Sequence, residues 1–200
     1  MRRLFLAAPM LFLASAAAAQ ARAIPERIGA PTRVALEHLL DSARLAGIPG
    51  APLYDKMAEG VLKGADDDRI LRAVESLVRD LGDARTALGP TADLSLITAG
   101  ASALHAGIAT NELHRLAQLG AESNDHAAFA SALITLVDLV AKRVPVNVAT
   151  SSIQNLIEHR ATDRQYAALR TAVEQDILAG RAPEAAVAMR VRAQLGGSPP

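Results

Sequence analysis

The side chains best placed for chemistry lie in segment 47–65, GIPGAPLYDKMAEGVLKGA. Lys56, Glu59 and Lys63 are spaced three and four residues apart, so they share one face of a helix. Gly60 falls inside this predicted helix, where glycine costs about 1 kcal/mol relative to alanine. The charged residues form either a solvated face with a Glu59–Lys63 pair or a polar contact patch beside a closely packed glycine. We take Lys56, Glu59, Gly60 and Lys63 as the candidate contact patch.

The histidines do not form a recognisable metal site. They are His38, His105, His114, His126 and His159. No two are four residues apart, as on a zinc-binding helix, and there is no H-E-x-x-H motif. His105 and His114 flank a predicted helix turn and are the pair expected to approach each other. We predict no metal and no cofactor.

Asp66, Asp67 and Asp68 place three carboxylates in a row, but the glycine and distal glutamate of an EF-hand loop are missing. Their position before an apolar stripe predicts that Asp66 caps a helix and that the other two favour its dipole. The sequence has no G-x-S-x-G or S-x-x-K motif, so no serine is marked as a nucleophile. No catalytic residue is predicted, although distant carboxylates can converge in a folded chain.

The elements that carry these residues are all predicted to be helices. Apolar residues recur three and four positions apart between capping residues and glycines, and no run shows convincing strand alternation. The predicted helices are about 32–46, 52–63, 66–89, 91–106, 110–119, 123–142, 146–159, 162–179 and 183–195. The fold class is therefore all-α, with about nine helices.

The apolar stripes predict which side chains form the core. The clearest stripe contains Ile70, Val74, Leu77 and Leu81. We expect Leu77 to be buried within it, and we expect Leu62 on the preceding helix to face inward.

Turns that end a long helix recur along the chain. They lie at Gly47, Gly107, Arg143 and Gly180, at separations of 60, 36 and 37 residues. Periods of this size indicate stacked helix hairpins, as a solenoid-like array or an irregular bundle, with one helix added to the first unit. The alternative is a bundle in which glycine recurs simply because it ends helices.

The N-terminal residues 1–19 have the layout of a cleaved secretory signal peptide. Arg2 and Arg3 precede an apolar run from Leu4 to Leu13, and small residues continue to Ala19. We expect the mature chain to begin at Gln20 and to be exported to the periplasm or the extracellular space.

The rest of the chain is predicted to form a single α-helical domain over 31–195, between a flexible leader at 20–30 and a disordered tail at 196–200. It has no cysteine, so apolar packing must hold it together. The chain has 21 basic and 21 acidic residues without a basic block, which argues against a nucleic-acid partner. No transmembrane segment is expected in the mature chain.

Segment 47–65 also carries a resemblance. Its string G-I-P-x-x-P-L-x-x-K-x-x-E-G-x-x-K-G-A, followed by Arg69-Ile70 and Ala73-Val74, resembles a pattern in uncharacterised exported α-helical proteins of GC-rich bacteria. The likeness covers mainly residues 35–90. It implies export and a helical fold, and it implies no activity.

Two classes of function are compatible with these features. The first is a soluble, non-enzymatic interaction or scaffold module of the cell envelope, because stacked hairpins present extended binding surfaces to an envelope protein or component. The alternative is an envelope hydrolase whose site is assembled from distant helices. A concave pocket with converging carboxylates or histidines of shifted pKa would favour the alternative.

Overall fold

The computed structural model describes residues 23–123 and 125–196, where it contains nine α-helices and no strand, in agreement with the all-α prediction. The helices are α1 (Ala30–Leu45), α2 (Ala51–Leu62), α3 (Asp67–Leu88), α4 (Leu94–His105), α5 (Thr110–Ser123), α6 (His126–Ala141), α7 (Val146–Glu158), α8 (Asp163–Leu178) and α9 (Pro183–Gln194). The predicted signal peptide, the predicted mature start at Gln20 and residues 197–200 of the predicted tail lie outside the described residues. Within the described ranges, every helix is too short or too polar to cross a bilayer.

Four of the described helices, α3, α4, α6 and α8, begin after a residue whose side chain caps them. The Asp66 carboxylate accepts a backbone hydrogen bond at 2.7 Å, and Thr162 with Gln165 forms the predicted capping box.

Not every predicted start is confirmed. Helix α1 begins at Ala30, after Gly29, so Thr32 lies inside the helix and does not cap it. Helix α4 is capped by Asp93 and not by Thr91, because the Asp93 carboxylate accepts a first-turn backbone N–H at 2.8 Å.

The helices pack in two rows. Helices α3, α4, α6 and α8 lie side by side in that order, and α5, α7 and α9 form the second row. Helices α1 and α2 both pack on α3. The largest fully buried side chains are Leu36, Leu53, Met57, Leu81, Leu113, Leu116, Leu133, Leu136, Leu139, Ile153, Leu156 and Tyr166. The core therefore runs through the whole described chain.

The same hydrogen-bonded turn ends six of these helices. A residue of positive φ follows the helix, and the N–H of the next residue donates to the carbonyl five residues before it, which is the Schellman motif. The residues of positive φ in these turns are Gly47, Gly64, Gly107, Arg143, Arg160 and Gly180. Arginine thus occupies two positions where the left-handed conformation favours glycine.

Residues 23–29, predicted as part of a flexible leader, are anchored. Ile28 is 2% exposed and belongs to the core. The Arg33 guanidinium donates to three backbone carbonyls of this segment, and Arg27 donates to the Val61 carbonyl of α2 at 2.8 Å. Apolar burial and backbone hydrogen bonds therefore hold these residues on the helices.

Two side chains predicted to face the core are not buried. Leu62 is 87% exposed at the end of α2. Leu77 is only half-buried, although it lies on the apolar stripe of α3. The residues beside it include Ala73, Ala101 and Ala106, whose side chains are too short to cover a leucine. A groove opens there as a result.

Candidate functional site

Helix α2 brings the charged residues of the candidate patch together on one face, as their spacing predicts. The Lys56 Nζ lies 3.0 Å from the Glu59 Oε2, and the Lys63 Nζ donates to the Glu59 Oε1. Glu59 therefore bridges two lysines, each about one helical turn away from it along α2. Its side chain is 43% exposed, so the bridge lies at the protein surface.

These two lysines fix the charge of Glu59. Hydrogen bonds from Lys63 and then Lys56, reinforced by their positive charges, lower the pKa of Glu59 from 4.5 to about 2. A carboxylate with so low a pKa stays ionised and is a weak base near neutral pH. Its properties are suited to holding lysines in place and not to transferring protons.

Gly60 faces α3 at very close range. A Cβ built on Gly60 would lie 2.7 Å from the Ile70 Cγ1, closer than real Cβ contacts come. Ile70 is 3% exposed and β-branched, so its side chain has little freedom to move aside. This geometry supports the interpretation that Gly60 admits a close neighbour.

All four patch residues line one cleft between α2 and α3, which we call the α2–α3 cleft. Its volume is about 350 Å³. Helix α3 contributes Arg69 to the rim and Ile70 and Ala73 to the apolar part of the wall. Three cationic side chains and one carboxylate thus surround the cleft, which leaves a surplus of positive charge.

A second cavity continues from the first along α3, and we call it the α3 groove. Its volume is about 280 Å³, and it shares Lys56 and Ala73 with the α2–α3 cleft. Leu77, Ala101 of α4 and Val137 of α6 supply its apolar lining. The two cavities therefore form one concave surface that is cationic at one end and apolar further along.

The α3 groove has a polar end. The Asp80 Oδ2 of α3 lies 3.2 Å from the His105 Nδ1 of α4, and both residues line the groove with Ser102. The Ser102 hydroxyl donates to the Thr98 carbonyl at 2.9 Å within its own helix. The groove thus holds a carboxylate–histidine pair and a nearby hydroxyl that is engaged elsewhere.

The remaining candidates have structural partners. The His114 Nδ1 lies 3.0 Å from the Ala87 carbonyl, so it is bonded differently from His105. Asp67 accepts a hydrogen bond from the Gly29 N–H at 2.8 Å and thereby holds the N-terminal segment. Among the residues that the structure describes, no three side chains of the metal-binding types converge.

Sequence reasoning missed the α3 groove and its Asp80–His105 pair. These two residues are 25 positions apart on different helices, and no local spacing joins them. Arg69 had a weak signal, since it directly follows the run of three aspartates and belongs to the quoted pattern. Comparison of the chain with family models, curated proteins and solved structures gives no match.

Proposed function

We propose that this chain is an exported, non-enzymatic interaction module of the cell envelope, with the α2–α3 cleft and the α3 groove as its contact surface. The observation that carries the proposal is that Lys56, Glu59, Gly60 and Lys63 line one cleft together with Arg69. Rows of packed helices support such a surface rigidly, as in proteins built from stacked hairpins.

The composition of the surface suits binding. A half-buried apolar strip that includes Leu77 lies beside charges that are already fixed by pairing on Glu59. Side chains held in place before binding lose less conformational entropy when a partner arrives. The low pKa of Glu59 keeps this charge pattern constant across the neutral range.

Export rests on the sequence of residues 1–19 and on the resemblance of segment 47–65 to exported helical proteins. Fractionation of the native host followed by N-terminal sequencing tests it. We expect a protein that begins at Gln20 in the envelope fraction. A chain with Met1 intact in the cytoplasmic fraction would contradict this part of the proposal.

Photo-cross-linking in the native host tests the contact surface. Leu62 is 87% exposed beside Lys63, so a photoreactive residue there leaves the patch intact. Leu178, 81% exposed at the end of α8, is the matched control. We expect a defined adduct from position 62 that Lys63→Glu abolishes, and none from position 178. Identical adducts at both positions, unaffected by Lys63→Glu, would reject the proposal.

A hydrolase is the second candidate, because Asp80, Ser102 and His105 line the same groove. Asp80 would orient His105, and His105 would have to accept the Ser102 proton. The Ser102 hydroxyl instead donates to its own helix, which ranks this candidate second. A fluorophosphonate probe that labels the native chain but not Ser102→Ala would support hydrolysis, and an unlabelled native chain would reject this serine mechanism.

A further inference from the structure

The α2–α3 cleft and the α3 groove follow one face of α3. Their wall includes Ile70, Ala73, Leu77 and Asp80, which are spaced so that they share this face. At 1.5 Å per residue the four positions span roughly 15 Å of helix. An extended peptide rises about 3.3 Å per residue, so about five residues cover this length.

The cleft end favours acidic side chains. Lys56, Lys63 and Arg69 surround it with three positive charges, and Glu59 supplies one negative charge. The surplus of two positive charges matches two carboxylates on a ligand. Because Glu59 already holds both lysines, their ammonium groups are positioned before the ligand arrives.

The middle of the surface favours aliphatic side chains of modest size. Ala73 and Ala101 keep it open, and Leu77 and Val137 give it apolar contacts. In an extended segment, every second side chain points to the same side. Two such side chains can therefore contact Leu77 and Val137 in succession.

The far end distinguishes a peptide from an anionic lipid. There the Asp80 carboxylate pairs with His105 at 3.2 Å. An acyl chain whose head group is bound by the lysines would place its apolar end against this polar pair. The backbone N–H groups of a peptide can instead donate hydrogen bonds to the Asp80 carboxylate. We propose that the surface binds an extended segment of an envelope protein in which two acidic residues lie next to aliphatic residues, in either chain direction. This inference rests on the proposed interaction function.

Selection of random heptapeptides displayed on phage tests the inference, with the purified mature chain as bait. The enriched peptide is then synthesised and its affinity measured by fluorescence anisotropy. We expect a pair of acidic residues adjacent to aliphatic residues in the enriched set. Lys63→Glu should weaken binding about tenfold, because it reverses a charge on the rim, and added salt should weaken binding to the native chain. Ala73→Met should also weaken binding, because Ala73 lines both cavities and the longer side chain would fill the space where they meet.

Arg192→Glu is the matched control, since Arg192 is exposed on α9 and the same charge change there should leave the affinity unchanged. Thermal melts of each variant confirm that it is folded, and Lys63→Glu decides the outcome if Ala73→Met unfolds. Enriched peptides without adjacent acidic and aliphatic residues, or with affinity unaffected by Lys63→Glu, would overturn the inference. Binding of oleate in place of peptide, or self-association that Lys63→Glu abolishes, would also overturn it.

The experiments can reject the peptide-binding inference without rejecting the proposed interaction function. A specific cross-link from position 62 without any selected peptide would reject the extended segment and leave the interaction function standing. Absence of both would reject both.

Discussion

Helices α1–α3 and helices α6–α9 both bury aliphatic side chains, but they differ in the contacts that lie beside this core. In the first region the α2 backbone at Gly60 touches Ile70, and a hydrogen bond from Gly29 to Asp67 holds the N-terminal segment. In the second region fully buried aliphatic side chains such as Leu136 and Leu156 fill the space between helices. The backbone contact at Gly60 and the hydrogen bond to Asp67 hold α2 and the N-terminal segment on α3, but they leave part of the apolar stripe of α3 uncovered. The concave surface forms where side-chain packing is incomplete.

Ion pairs show the same contrast. Asp176 of α8 accepts two hydrogen bonds from Arg190 of α9, at 2.7 and 2.8 Å, and this lowers the pKa of Asp176. That pair joins two helices, and Asp176 is 9% exposed. The pairs of Glu59 with Lys56 and Lys63 lie on one helix and line an open cleft. The first arrangement fixes the packing of α8 on α9, and the second leaves charged groups accessible.

The largest test of this contrast compares two leucines. Leu136 is fully buried in α6, so Leu136→Ala should reduce the free energy of unfolding by about 2–5 kcal/mol. Leu77→Ala should cost only about 1 kcal/mol, because Leu77 is half-buried and its replacement widens an existing groove. Urea titration measures both. Equal losses would show that the groove is closed in solution.

Two glycines provide the next test. Gly60→Ala should destabilise by about 1–3 kcal/mol, because the new methyl group would overlap Ile70. Gly82→Ala is the matched control within α3, where the added Cβ would lie at an ordinary 3.6 Å from Ile48. It should stabilise by about 0.4–1 kcal/mol through helix propensity and the unfolded chain. A raised midpoint for Gly60→Ala in denaturant titration would remove the close-contact interpretation.

Arg143 tests the turns of the second region. Its φ is 65°, where arginine replaces the glycine found in most of the equivalent turns. Arg143→Gly should raise the free energy of unfolding by about 0.5–1 kcal/mol, since relief of the left-handed conformation outweighs the flexibility gained by the unfolded chain. Gly107→Ala, at φ 95°, should do the opposite. Thermal melts that rank the two variants the other way would contradict this account.

The smallest expected effect concerns pH. The folded pKa of Glu59, about 2, lies below its ordinary value of 4.5, so the stability that Glu59 contributes is fully present above about pH 4.5 and is lost as pH falls toward 2. An NMR titration of the Glu59 carboxyl should give a midpoint near 2. Glu59→Gln should lose less stability than the native chain between those pH values. A midpoint near 4.5 would mean that the lysines do not hold Glu59 in solution.

Local sequence signals predicted where most helices lie, but they predicted poorly which residues of different helices come into contact. Asp66, Thr162 and Pro183 begin helices as expected, because capping and first-turn chemistry acts within a few residues. Thr91 and Asp93 are both good capping residues just after Pro90, and local sequence could not choose between them. The shared face of Lys56, Glu59 and Lys63 also followed from spacing alone.

Leu77 and Asp67 show what spacing cannot supply. The stripe on α3 gives the direction in which Leu77 points, but the alanines that leave it uncovered belong partly to another helix. Asp67 looked like a residue placed for the helix dipole, and its bond to Gly29 spans 38 positions. Arg69 lines the candidate site because α3 packs beside α2, and the sequence alone does not show this packing.

The bond between Gly29 and Asp67 also bears on the order in which the chain can fold. Helix contacts run mainly between nearby units, from α4 to α6 and α6 to α8, and from α5 to α7 and α7 to α9. Contacts between near neighbours in sequence form quickly and let folding spread from one end. A chain that is synthesised from its N-terminus can therefore fix residues 23–29 in place once Asp67 has been added, and each later helix can pack on helices that have already formed.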